Sequence, residues 1–99
     1  MSNEKSMRHI VFFRLHANVD EFKRQKAIKL LRELGENSNG VLEWRIEFSL
    51  DQRKGDILIE NGLFRDAAAY ETFKSSEQHQ RAGEFMKTIS DWLIGDYRE

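Results

Sequence analysis

The stretch "LEWRIEF", Leu42 to Phe48, decides the fold. Leu42, Trp44, Ile46 and Phe48 alternate with Glu43, Arg45 and Glu47. Successive side chains on a strand point to opposite faces, so this period of two predicts a half-buried strand with its apolar row on a core and its charged row outward. Upstream, "RHIVFFRL" at residues 8–15 is dense in β-formers and predicts another strand. His9, Val11, Phe13 and Leu15 share one of its faces, while Ile10 and Phe12 lie on the other between Arg8 and Arg14. Between the two strands Asp20 is a good helix N-cap, and Ala27, Ile28, Leu31 and Leu34 recur at helical spacing. Gly35 and the polar run to Gly40 end that helix, because Gly and Asn tolerate the left-handed backbone of a C-cap.

Downstream, Asp51 to Gly55 forms a polar turn, and Asp56 to Phe64 resumes as a strand. Asn61-Gly62 is a hairpin signal, yet only Leu63 and Phe64 remain before Asp66, so Gly62 is read as a bulge or strand-end position. Asp66 caps a short helix from Ala67 to about Lys74. Ser75 and Gln78 have capping-box spacing, which starts a second helix at Ser76 that runs to about Ser90. Asp91 to Arg98 closes as a final strand. The order βαββ(αα)β suits an α+β fold, a ferredoxin-like antiparallel sheet with its helices on one side. Ile10, Phe12, Leu58, Phe64, Leu93 and Tyr97 are then assigned to the opposite sheet face. An apolar second face marks an interface, and a second copy packing sheet to sheet is the economical way to cover it.

Composition narrows the function. The chain has 99 residues, room for a single domain over 7–98 after a polar tail at 1–6. A domain of this length buries roughly two thirds of the surface its unfolded chain exposes. Only 39% of its residues are hydrophobic and 33% are charged, so the core is thin and gains by sharing surface with a partner. A net charge of −1 and a pI near 6.3 leave no electrostatic footprint for nucleic acid. The basic run Lys23-Arg24-Gln25-Lys26 reads as a solvated helix face. There is no cysteine, which excludes disulfides, thiolate metal sites and a cysteine nucleophile. The longest aliphatic or aromatic run, Ile10 to Phe13, is far short of a membrane span or a signal h-region, so a cytoplasmic protein without membrane association is expected.

Chemistry has few candidates. His79 precedes Ala82, Met86 and Ile89 on one helical stripe, in the first turn of its helix. The positive end of the helix dipole and partial burial both disfavour the imidazolium there. A neutral imidazole at pH 7 suits general acid–base work or a hydrogen bond to a ligand. His9 shares a face with Val11 and Phe13 and is able to approach His79 across a cavity, although a strand-end histidine half in solvent is the commoner case. His16 reads as a surface residue. Trp44, Phe48, Phe13, Phe73 and Phe85 line either a pocket or a plain core. The three histidines have no ligand spacing, and there is no phosphate loop or GxSxG motif, so neither a metal nor a cofactor is expected. Glu43 and Glu47, which alternate with Arg45, are expected to form cross-strand ion pairs.

The opening "MRHIVFFRL", "GVLEW", the spacing F-x₈-F-x₅-H from Phe64 through Phe73 to His79, and the closing Asp96-Tyr97 together resemble the stress-responsive dimeric alpha-beta barrel domain family. The resemblance spans Met7 to about Arg98. It implies a ferredoxin-like subunit that dimerises through its sheet into a dimeric alpha-beta barrel; a small apolar or aromatic ligand is a further expectation. The family includes a plant polyketide cyclase whose catalytic histidine matches His79 and whose pocket histidine near the first strand matches His9. Its catalytic tyrosine falls on Phe73, its third-strand histidine on Leu58, and the usual His-Pro on Ser76-Glu77. Tyr70 lies one helical turn before Phe73. Three functions follow as expectations: a homodimeric pocket protein, a cofactor-independent cyclase, lyase or monooxygenase with His79 as base, and an assembly module.

Overall fold

The computed structural model describes residues 5–99. In chain order the elements are β1 (Met7–Leu15), α1 (Glu21–Glu36), β2 (Val41–Phe48), β3 (Ile57–Phe64), α2 (Ala67–Ser75), α3 (Glu77–Ile89) and β4 (Ser90–Arg98). The four strands form one antiparallel sheet in the order β2-β3-β1-β4. This is the ferredoxin-like arrangement, with β1 and β3 central and the helices packed on one face. The tail expected at residues 1–6 lies mostly outside the described residues. Ser6 is tied down, its carbonyl accepting from Glu99 N–H at 2.9 Å.

Asp20 and Asp66 cap α1 and α2, their carboxylates accepting from Lys23 and Ala69 N–H. The cap of α3 is Ser76, not Ser75: its hydroxyl accepts from the N–H of His79. The capping-box spacing misleads by one residue because the serine that leaves the helical backbone is the one whose oxygen can reach three residues on.

Register settles the sheet faces. His9, Val11 and Phe13 stand opposite Asp96, Ile94 and Trp92 on β4, and Val11 and Phe13 stand opposite Glu60 and Leu58 on β3. These side chains all point toward the helices. Leu58 and Phe64, assigned from sequence to the far face, are therefore wholly buried in the core. The far face keeps Ile10, Phe12, Ile57, Ile59, Leu93 and Tyr97. Phe12 lies between Ile59 and Leu93 and is 45% exposed in the single subunit. Leu42 is not inward but exposed. A bulge between Val41 and Glu43 gives Val41 the inward position opposite Phe64, and alternation restarts at Glu43.

Gly62 is not a bulge or a strand end. It sits in regular register between His9 and Trp44, and a Cβ there would come within 2.7 Å of the Trp44 ring. Gly35 stands in the same relation to the five-membered end of the indole, with 2.0 Å between its notional Cβ and Trp44 Cγ. Gly35 lies inside α1 and does not have the left-handed backbone of a C-cap. The two glycines form a slot for Trp44, whose Nε1 donates to the Leu31 carbonyl at 2.9 Å and so joins β2 to α1. Of the expected cross-strand ion pairs, Glu43 makes one with Arg8 of β1 at 3.1 Å, and Arg8 also reaches Glu99 at 3.2 Å; Glu47 instead meets Arg45 of its own strand.

Gly35→Ala tests the slot. An alanine inside an ordinary helix gains about 1 kcal/mol over glycine, but overpacking a tight contact costs about 1–3 kcal/mol. A 2.0 Å approach to the ring makes the second effect win. The urea midpoint should fall by the equivalent of about 1–3 kcal/mol, and less when Trp44→Leu is made in the same chain. A raised midpoint would show that the slot is loose.

Candidate functional site

Inward side chains of β1, β3 and β4 meet α2 and α3 around a cavity of about 100 Å³. Its walls are largely apolar, formed among others by Val11, Phe13, Leu31, Ala82, Met86 and Ile94. The polar groups that reach it are His9, Glu60, Tyr70, Lys74 and His79.

His9 is 2% exposed, not half in solvent. Its Nδ1 lies 2.6 Å from Asp96 Oδ1 and its Nε2 lies 2.9 Å from Glu60 Oε2. Antiparallel register puts Asp96 directly across from His9, and the side-chain-free Gly62 on the other flank leaves Glu60 as its neighbour along the same face. Ionised carboxylates only accept, so with Glu60 and Asp96 both ionised each ring nitrogen donates and the ring is an imidazolium. Burial works against that charge, but the hydrogen bonds and charges of Glu60 and Asp96 outweigh it, and the net displacement of the His9 pKa is upward. Tyr70 Oη donates to the other Asp96 oxygen at 3.1 Å. Burial first, and then the Asp96 charge, push that phenol well above its usual value, so Tyr70 is a donor and not a base.

His79 is in a different state. Its ring packs edge-on against Phe73 at 4.9 Å between centroids, and neither ring nitrogen is hydrogen-bonded among the described residues. Burial is the largest influence and lowers its pKa; Glu60 opposes this, and the His9 and Lys74 cations add to it. His79 is thus a neutral imidazole beside the cavity, able to give or take a proton.

His9, Phe13, Tyr70 and His79, singled out from the sequence, all line the cavity, whereas Trp44, Phe73 and Phe85 do not. Trp44 is held in its glycine slot. Phe73 is sealed in an aromatic cluster with Phe64, Tyr70 and Trp44. Phe85 packs on the outside of the core, where Lys26 Nζ sits 4.6 Å from its ring centre. His16 is at the surface, 3.6 Å from Asp91.

Sequence reading missed Glu60, Asp96 and Lys74. Asp96 was noticed only as part of a closing motif. Glu60 was hidden by the inverted face assignment of the third strand: once Leu58 and Phe64 are inward, the period of two carries Glu60 inward with them.

Comparisons with known proteins agree with this fold. No curated protein matches the chain in sequence. Among solved structures, a dimeric ferredoxin-like protein of unknown function from Thermobifida fusca superposes with a TM-score of 0.86 at 13% identity, over 100% of this chain and 95% of that one. Hydroxynitrile lyase from Passiflora edulis superposes with a TM-score of 0.82 at 20% identity, over 97% and 94% of the two chains. A cofactor-independent oxygenase from Streptomyces nogalater does so with a TM-score of 0.76 at 9% identity, over 96% and 93%. At these identities the likeness is one of fold. In sequence, residues 7–99 match the Stress responsive A/B Barrel Domain. With that match over nearly the whole chain, and with the ferredoxin-like sheet and its helix-covered face, the chain belongs to the stress-responsive A/B barrel domain family.

Proposed function

We propose that this domain is a homodimer, closed sheet against sheet, in which each subunit holds a small apolar molecule in the cavity between sheet and helices. The observation that carries the ligand half is the free imidazole of His79 at a largely apolar cavity. A polar group with no protein partner beside such a cavity is what a ligand site requires, since a few placed polar groups orient a molecule that apolar walls hold. The dimer half rests on the far sheet face, where Ile10, Phe12, Ile59 and Leu93 adjoin across three strands, and on the dimeric state of the Thermobifida protein.

A second reading has its own support. Neutral His79 is suited to act as a general base without a cofactor, and the Passiflora and Streptomyces proteins of the same fold are a lyase and a cofactor-independent oxygenase. The aldol cyclisation suggested by family resemblance is less favoured, because Phe73 and Leu58 bring no polar group to the positions where the cyclase has tyrosine and histidine, and Tyr70 is committed to Asp96.

The dimer is tested by sedimentation at micromolar concentration. The parent protein should run as a dimer and Phe12→Glu as a folded monomer, because an unpaired charge forced into an interface costs about 3–5 kcal/mol. A monomeric parent protein, or a Phe12→Glu dimer of unchanged affinity, would rule out this interface. The enzyme reading is tested by cyanide release from a hydroxynitrile. His79→Ala should lower the rate roughly 10²–10⁴-fold, the range for losing one general base, with little change in thermal midpoint. Release no faster than in buffer would rule out the lyase form of this reading, and an undiminished rate in His79→Ala would rule out His79 as its base.

A further inference from the structure

Glu60 is 3% exposed, yet one of its two carboxylate oxygens is unused. Oε2 meets His9, while Oε1 takes part in no hydrogen bond among the described residues. No side-chain oxygen or nitrogen there is both sealed and unpartnered, so Oε1 is accessible, and Glu60 is one of the residues that line the cavity. The other free polar group is the His79 ring. A carboxylate oxygen accepts and never donates, so the group facing it must bring a proton.

We propose that the cavity selects a small neutral molecule that carries a hydroxyl, an alcohol or phenol of about one ring, with the hydroxyl donating to Glu60 Oε1, and that it excludes carboxylates. This rests on the ligand-binding reading above and names the class of molecule. Size sets the upper limit: an apolar cavity of about 150 Å³ accepts benzene, and this one is about 100 Å³, so one ring fills it and reaches its mouth. Charge sets the exclusion. The chain Asp96, His9, Glu60 sets two carboxylates against one imidazolium and leaves a net negative charge beside the ligand. Lys74 does not reverse it. Its Nζ is already 3.2 Å from Glu71, stacked over the Tyr70 ring, at a side chain 43% exposed. A buried acceptor that a ligand fails to satisfy discriminates strongly, because its lost hydration is not replaced.

The experiment is a backbone-amide NMR titration of the ¹⁵N-labelled protein at pH 7 with phenol, toluene and benzoate, read at Val11, Ala82 and Gly83. Phenol should shift these signals saturably and bind at least tenfold tighter than toluene, with no saturable shift from benzoate. In Glu60→Gln, whose amide both donates and accepts, phenol should lose most of its advantage over benzoate. Toluene or benzoate binding as tightly as phenol would overturn the hydroxyl selection and leave the pocket standing. Failure of all three to bind would overturn the pocket reading and this proposal with it. If Glu60→Gln does not fold, the three-ligand comparison on the parent protein still decides.

Discussion

A histidine buried as a cation between two carboxylates is the constraint around which the rest of this domain is arranged. His9 comes from β1, Glu60 from β3 and Asp96 from β4, and Tyr70 adds α2 through the second Asp96 oxygen. One chain of hydrogen bonds therefore crosses three strands and reaches a helix. Taking charges out of water is costly, and such a cluster is tolerated only when every partner is present; removing one member of a buried pair costs about 3–5 kcal/mol. The cluster is thus a weak source of net stability but a strong source of register. A slip of one residue would turn His9 outward and strand both carboxylates inside.

That arrangement divides two histidines that would otherwise look alike. His9 has both nitrogens engaged by carboxylates and a pKa that is raised on balance, so its N–H groups are committed within the protein. His79 faces the same cavity with neither ring nitrogen hydrogen-bonded among the described residues, and burial first lowers its pKa, with Glu60 opposing and His9 and Lys74 adding to the shift. The site is asymmetric in consequence: an accepting carboxylate oxygen on the sheet side and a neutral imidazole on the helix side. Phe73 packs against the His79 ring from outside the cavity and brings no hydroxyl to it.

Much of the fold was legible because period and caps are local signals. The alternation from Trp44 to Phe48, the caps Asp20 and Asp66, and the stripe Ala82, Met86, Ile89 each name an element without knowledge of its neighbours. What was not legible depends on pairing. Which face of β3 turns inward is decided by its register with β1, and a strand as apolar as Ile57 to Phe64 does not reveal it; the misplacement of Leu58 and Phe64 and the neglect of Glu60 were one error. Leu42 was misplaced because a bulge resets the alternation one residue into the strand. Gly35 and Gly62 were read as backbone devices, whereas both are spaces for an indole supplied by another element. The candidate site was half legible for the same reason. His9 and His79 were visible as chemistry, but their partners come from strands that meet only in the folded sheet.

The protonation states of the two histidines can be measured together by following both imidazoles by NMR from pH 5 to pH 9. His9 should titrate above the ordinary value of about 6.5 and His79 below it. The sign carries through to stability. A pKa raised on folding means that the contribution of His9 is fully present below about pH 6.5 and is lost as pH rises through its folded value. A His9 that titrates at or below the ordinary value would contradict the buried cation, and a His79 that titrates at or above it would contradict the division between the two rings.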